Sequence, residues 1–370
     1  MVNVYGIYEV LRYDVINLIS SYLNSSSISE DYVDLSPNSE SIPLVKPQEL
    51  VREEIPKRSW NEVLALDGSS RSFVSGKGSI SIASLAVASI TRGIYGVYPS
   101  VDGNGGLPLQ EPFIAVASST AERSRLDPYI YASKYVSFVS LDGRPFSSIR
   151  GVEQVETELR ALLETKALGF LKGKGAVIVD GPLFPSYLYL SAKVRDKIIE
   201  ERRKALDQNF IGVVKRIDKS QYLVNTLNGE YRDFFIQRYK VDPKSFVSDE
   251  AFLLSLTRFN ENTPYSPTVI GPFMSEEKGT PIFVNYLVIP FNPYVPKFSI
   301  LRVESLVNSE EVIRNLLAIK ITREGIPYLL ALADAVAKKV SQGLYKLVIS
   351  GLQKVGLQSS YYSRIEELGT

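Results

Sequence analysis

Two rhythms of apolar residues alternate along this chain. Over Val4–Leu23 the residues Ile7, Val10, Leu11, Val15, Leu18 and Ile19 recur at three- and four-residue intervals, the spacing of one helical face. The stretch Asn24–Gln48 is rich in Ser, Asp, Glu and Pro and reads as a linker. Apolar runs short enough for buried strands follow at Val63–Leu66, Ile80–Ile90, Gly93–Tyr98 and Tyr135–Leu141, with a glycine- and proline-rich loop over Ser100–Pro112. Helical spacing returns over Val152–Leu171 through Val155, Leu159, Leu162, Leu163 and Leu168. Gly173-Lys174-Gly175 breaks it, and the strand Ala176–Val179 follows at once. Ser186–Gln208 reads as a helix with a basic end, and Phe210–Lys215 as a further strand.

Beyond Asp218 the pattern turns β-rich and irregular up to about Ser309. Asn228-Gly229 between YLVNTL and YRDFFI predicts a hairpin, and a second hairpin is expected from Asn285–Ile289 and Phe298–Glu304. Tyr328–Val348 is again helical. Two units are expected: residues 1–48 as helix and linker, and 49–370 as one domain with a β-rich insertion at about 218–309. Without the insertion, the order of strands and helices predicts the α/β class, a ribonuclease H-like mixed sheet flanked by helices.

Two of the strands end in a carboxylate. VLALDGSS delivers Asp67 and AVIVDGP delivers Asp180, where burial is costly unless a cation or donor meets the charge. The chain has four Asp-Gly pairs, and those at Asp102 and Asp142 read as turns. Composition narrows the chemistry. With no Cys and no His, zinc sites built on them, thiol nucleophiles and histidine acid–base catalysis are excluded, which leaves hard, oxygen-bound metals favoured. Net charge is +1, so any nucleic-acid binding must come from a local basic surface. Glu164, on the helix before Asp180, is the best placed third ligand, with Glu156 and Glu158 as alternatives. Asp334, the one acid in PYLLALADAVAKK, is a fourth. The basic residues Lys193, Arg195, Lys197, Arg202, Arg203 and Lys204 read as a solvated helix face, with phosphate tracking as the other reading. GFLKGK lacks the spacing of a phosphate-binding loop, and no apolar run is long enough to span a membrane. An intracellular, cytoplasmic protein is expected.

VLALDGSSR, ALLETKAL, AVIVDGPLF, Gly212–Arg216 (GVVKR), Ile300–Glu304 (ILRVE) and Gly325–Lys338 occur in that order over about Asn61–Val340, and together they resemble the NurA nuclease family. The resemblance implies a ribonuclease H-like fold, a homodimer, and manganese- or magnesium-dependent cleavage of DNA, exonucleolytic in the 5′–3′ sense and endonucleolytic on single strands. It also implies a partner, the hexameric ATPase HerA, and a role in archaeal resection of DNA double-strand breaks. The residues themselves fix neither polarity nor strand preference. By position, Asp67 and Asp180 match the family's strand aspartates and Glu164 its helix glutamate. Asp334 falls where many members carry a histidine, and Ile326 replaces the Gly-Tyr-Pro tyrosine, with Tyr328 two residues on. Lys215 would reach the scissile phosphate. These departures leave open a catalytically weakened paralogue that binds DNA or the ATPase as a structural partner.

Overall fold

The computed structural model describes residues 41–53, 55–75, 78–100, 105–118, 134–147, 152–257, 266–292 and 297–354. The helix predicted over Val4–Leu23 lies outside them. Among the described residues one sheet holds β1 (Ile42–Pro43), β2 (Val51–Arg52), β3 (Val63–Ser75), β4 (Gly78–Ser89), β5 (Gly93–Tyr98), β6 (Ile114–Ser118), β7 (Val136–Ser137), β8 (Ala176–Asp180), β9 (Phe210–Val214), β10 (Thr268–Glu277), β11 (Thr280–Asn292) and β12 (Lys297–Ser305). Its spatial order is β1-β10-β11-β12-β9-β8-β3-β4-β6-β7, with β2 beside β10 and β5 beside β4. Strands β3, β8 and β9 run parallel, and β4 is antiparallel to β3. Besides the single turns Pro47–Leu50 and Pro243–Ser245, the described helices are α1 (Val152–Leu171), α2 (Ala192–Ala205), α3 (Tyr222–Thr226), α4 (Glu230–Tyr239), α5 (Asp249–Leu256), α6 (Glu310–Leu316) and α7 (Tyr328–Lys354). A mixed sheet flanked by helices is the class the apolar pattern predicts.

Alternation along the central strands explains the two layers of core. Leu64 and Leu66 of β3 share one cluster with Val177 and Val179 of β8 and with Val155, Leu159, Leu163 and Leu168 of α1. Val63, Ala65 and Ile178 point the other way, into a cluster with Leu329, Leu330 and Ala333 of α7. Each such buried Leu or Val contributes roughly 1.5–3 kcal/mol, so the register of β3 against both helices is strongly held. Small residues let α7 approach closely: Ser84 Oγ donates to the Ala337 carbonyl at 2.8 Å, and the Ser69 and Ser341 hydroxyls are 3.0 Å apart.

Several expectations change. β3 does not end at Leu66 but continues to Ser75, paired with β4 from Leu64↔Ser89 to Ser75↔Gly78. What ends at Leu66 is its parallel pairing with β8, at Leu66↔Val179. The predicted strand Tyr135–Leu141 shrinks to Val136–Ser137, beside the unforeseen β6. The Asn228-Gly229 hairpin is wrong: the flanking strings are helices α3 and α4, whose Leu223, Val224, Phe235 and Tyr239 are spaced for a helical stripe. Gly229, at φ 54°, simply joins them. The region 218–309 is therefore helical before it is β, and its strands continue the main sheet, because β12 pairs with β9. The expected β11–β12 hairpin is present, in the register Asn285↔Val303 to Ile289↔Ser299. The predicted linker also stops early. Ile42 and Pro43 pair with β10, and the Val45 carbonyl accepts from the Tyr231 hydroxyl at 2.9 Å.

Candidate metal centre

Asp67 and Asp180 each stand one residue beyond the last β3–β8 pair, Leu66↔Val179. Equal positions on neighbouring parallel strands lie about 4.8 Å apart and share a face. Here that is the α7 face, since Ala65 and Ile178, two residues earlier, pack on it. Both aspartates line a cleft of about 890 Å³, joined by Asp334 from α7, Glu156 and Arg160 from α1, Lys215 and Arg216 beyond β9, Lys338, and the segment Glu324–Ile326. Glu164 arrives from the opposite face. A Cβ built on Gly68 would lie 2.6 Å from Glu164 Oε1, so the carboxylate occupies the space a side chain at position 68 would take. Its side chain is only 16% exposed, so it does not point to bulk solvent.

Electrostatics set Asp67 apart. Its Oδ1 accepts the Gly68 N–H at 2.7 Å, while Oδ2 is buried and has no hydrogen-bond partner among the described residues. Burial, then the charges of Asp180 and Glu164, push its pKa up to about 8; Lys215 opposes this and Asp334 adds to it. Burial also raises Glu164, with Arg160 and Arg202 working against the rise. The outer acids are held by cations. Lys215 Nζ donates to Asp180 Oδ2 at 2.7 Å and Lys338 Nζ to Asp334 Oδ2 at 2.8 Å. Arg160 and Arg202 lie 3.7 and 3.9 Å from the Glu164 oxygens. As they stand, no three acids among the described residues converge as ligands of one ion. The donor set nevertheless fits a hard divalent cation. It is all oxygen, it includes a buried carboxylate oxygen with no partner, and the missing side chain at Gly68 lets the Glu164 carboxylate come in beside Asp67.

Of the alternative acids, Glu156 lines the cleft and accepts from Ser70 Oγ at 3.4 Å. Glu158 is structural, bound by the Leu141 N–H at 2.7 Å and by Ser140 Oγ at 2.8 Å. Asp142 does serve a turn, accepting from the Arg144 N–H at 3.0 Å, whereas Asp102 lies outside the described residues. Ile326 is part of the cleft wall; Tyr328 is not, and it stands half exposed. Two contributors escaped sequence reasoning. Gly68 stands in the sequence only as the residue that follows Asp67. Arg202 sat inside a basic run that read as solvated, yet it is 0% exposed; its place four residues after Ile198 in the buried stripe of α2 was the available signal.

Strand-borne carboxylates meeting helix-borne ones in an open cleft define an α/β protein suited to binding a hard divalent metal. A NurA domain model matches residues 61–338, and the chain belongs to the NurA family of nucleases. Solved structures resemble it at a distance. The NurA nuclease from Sulfolobus solfataricus is 13% identical, over 94% of this chain and 97% of that one, with a TM-score of 0.46. NurA with manganese is 12% identical, over 92% and 98%, at 0.38. NurA bound to dAMP and manganese is 12% identical, over 89% and 90%, at 0.31. No curated protein matches the sequence. No described helix is long and apolar enough to cross a membrane.

Proposed function

We propose that this chain is a divalent-metal-dependent DNA nuclease whose acid cleft holds the ions through Asp67, Asp180, Glu164 and Asp334. The observation that carries the reading is Asp67, a buried carboxylate with an unpartnered oxygen, level with Asp180 on the next strand. Manganese, the ion named with two solved NurA structures, suits such oxygen donors, and magnesium is the other option. Bound by these carboxylates, divalent ions would supply an acidified water and a counter-charge for the leaving oxygen. The chain's own residues do the rest. Lys215 exchanges its bond to Asp180 for the scissile phosphate, and Arg160, Arg216 and Lys338 give the cleft the local basic surface that the near-neutral chain otherwise lacks. With no histidine, carboxylates are the bases at hand.

The strand order β5-β4-β3-β8-β9, with β3, β8 and β9 parallel and β4 antiparallel to its neighbours β3 and β5, supports a ribonuclease H-like core. Family likeness supports a homodimer in the cytoplasm that pairs with a HerA-type hexameric translocase in resection of DNA ends, and the apolar stripe of Val4–Leu23 is the segment proposed to dock on a partner chain. A second reading, a weakened paralogue that binds DNA without cutting it, draws on the pairing of Asp180 and Asp334 with lysines and on Ile326. One experiment separates the two: cleavage of single- and double-stranded DNA, with manganese and with EDTA, by wild type and Asp67→Asn. Metal-dependent cutting that Asp67→Asn abolishes is expected. Binding without cutting at any metal concentration supports the paralogue, and full activity in Asp67→Asn removes Asp67 from the site.

A further inference from the structure

Among the described residues the guanidinium of Arg202 is 0% exposed, a burial that only Asp249 matches among the charged side chains, and no catalytic or ligand role accounts for it. Its Nε donates to the Leu183 carbonyl at 2.6 Å and its Nη1 to the Tyr187 hydroxyl at 3.2 Å. Nη1 also lies 3.9 Å from Glu164 Oε2, while Nη2 is buried with no partner among the described residues. One planar group thus touches a candidate ligand on α1 and the backbone three residues after the candidate ligand Asp180 of β8. The Leu183 peptide is gripped from its other side as well: its N–H donates to Glu304 Oε2 at 2.8 Å, and Glu304 is held by Arg302 at 2.7 Å. A Cβ on Gly212 would sit 2.9 Å from the Leu183 nitrogen, so this peptide has no room to shift toward β9.

Tyr187 adds a second line of argument. It is a bulky residue at φ 45°, in the left-handed region that L side chains rarely adopt. The turn keeps the Tyr187 ring inward, against Arg202, while Leu188 and Tyr189 are exposed at 58% and 69%. Strained backbone of this kind persists only where its surroundings over-determine it.

Resting on the metal-site reading of the cleft, we propose that Arg202 is a positioning residue that holds Glu164 and the exit of β8 in the arrangement that binds the divalent ion. The guanidinium fork suits this where an ammonium does not, because its donors are rigidly coplanar and can serve the carbonyl, the phenol and the carboxylate together. A residue that merely filled the core beneath α2 would contribute to melting temperature alone. A positioning residue contributes to the ion affinity of the folded protein.

The test is a manganese titration of the full chain, followed by the electron paramagnetic resonance signal of free ion and, separately, by thermal melting. Arg202→Met is expected to weaken manganese binding by about 10–100-fold, the usual effect of removing a group that orients a metal ligand. Arg202→Lys, which keeps the charge but not the fork, should recover part of that loss, and Tyr187→Phe should show a smaller loss. Wild-type manganese affinity in Arg202→Met, with only its melting lowered, overturns the proposal. If Arg202→Met does not fold, wild-type affinity in both Arg202→Lys and Tyr187→Phe overturns it equally. Asp67→Asn in the same titration tells the two levels apart. If it binds manganese as wild type does, the cleft reading fails and this inference with it. If it loses manganese while the Arg202 variants do not, this inference alone fails.

Discussion

Two aspartates at similar depth meet opposite company. Asp249, at 0% exposure, accepts from Ser220 Oγ at 2.6 Å and from the Val224 N–H at 3.1 Å, at the start of α3. Burial raises its pKa to about 6, and every hydrogen bond it makes pulls the other way. Asp67, at 8%, has one backbone N–H; burial raises it first, and the charges of the surrounding acids add to burial to carry it to about 8. The first is a completed structural device, in which a buried carboxylate satisfies the free donors at a helix start. The second is an arrangement that the protein alone leaves unbalanced and that a cation would complete. Depth of burial does not separate the two; the sign of the neighbours does.

Exchanging each carboxylate should give opposite signatures. Asp67→Asn is expected to lose manganese-dependent cleavage by roughly three orders of magnitude, the scale of several kcal/mol of lost charge stabilisation. In EDTA it should melt no lower than wild type, because repulsion among acids is relieved. Asp249→Ala should leave cleavage per folded molecule unchanged and cost about 1–3 kcal/mol of stability through orphaned buried donors. Assays of rate beside melting curves check both, and the reverse pattern would break the comparison.

The pH dependence of stability sharpens it. Both carboxyls hold a proton in the folded state over a range where the unfolded chain has lost it, so stability of the metal-free protein falls as pH rises. The Asp67 contribution falls from its unfolded value of about 4 up to about 8, at no more than ~1.4 kcal/mol per pH unit. That of Asp249 ends near 6. Denaturant melts in EDTA should therefore show a decline between pH 6 and 8 that Asp67→Asn removes and Asp249→Asn retains. Saturating manganese should flatten the same decline, because the ion takes the place of the proton.

A smaller effect is expected at Gly68. In Gly68→Ala the new methyl meets Glu164 Oε1, the far end of a flexible side chain that can swing away. Melting in EDTA should move little, while manganese affinity falls about tenfold as Glu164 is displaced. Unchanged affinity would remove Glu164 from the ion site.

Much of this is legible in the amino-acid sequence itself. VLALD and AVIVD declare themselves because a buried strand that ends on a carboxylate needs a reason, and the leucine spacing of α1 fixes which of its faces meets the sheet. The equal register of Asp67 and Asp180 was not readable, since it depends on how two distant strands align. Nor was the space above Gly68, which exists only once α1 lies across β3. Asn228-Gly229 misled because glycine with φ above zero joins helices as readily as strands. Arg202 was hidden by its neighbours, since charge density along a sequence does not say which single arginine faces inward.

The ends of the described sheet bear on how two copies could meet. Its terminal strands, β1 and β7, are two residues long each, and β1 contains Pro43, which has no N–H to donate. Along the long β4, β5 covers Leu85–Ser89 and β6 covers Gly78–Ile82, so little of that edge is free to recruit another chain. Short, proline-blunted edges are the usual guard against strand addition and edge-to-edge aggregation. Among the described residues, then, neither β1 nor β7 offers an edge long enough to continue the sheet across a two-fold axis, which leaves β5, paired among these strands only with β4, as the longer terminal strand. At the blunted ends the proposed homodimer would have to draw on side-chain surfaces, where complementarity can be selective in a way that backbone pairing is not.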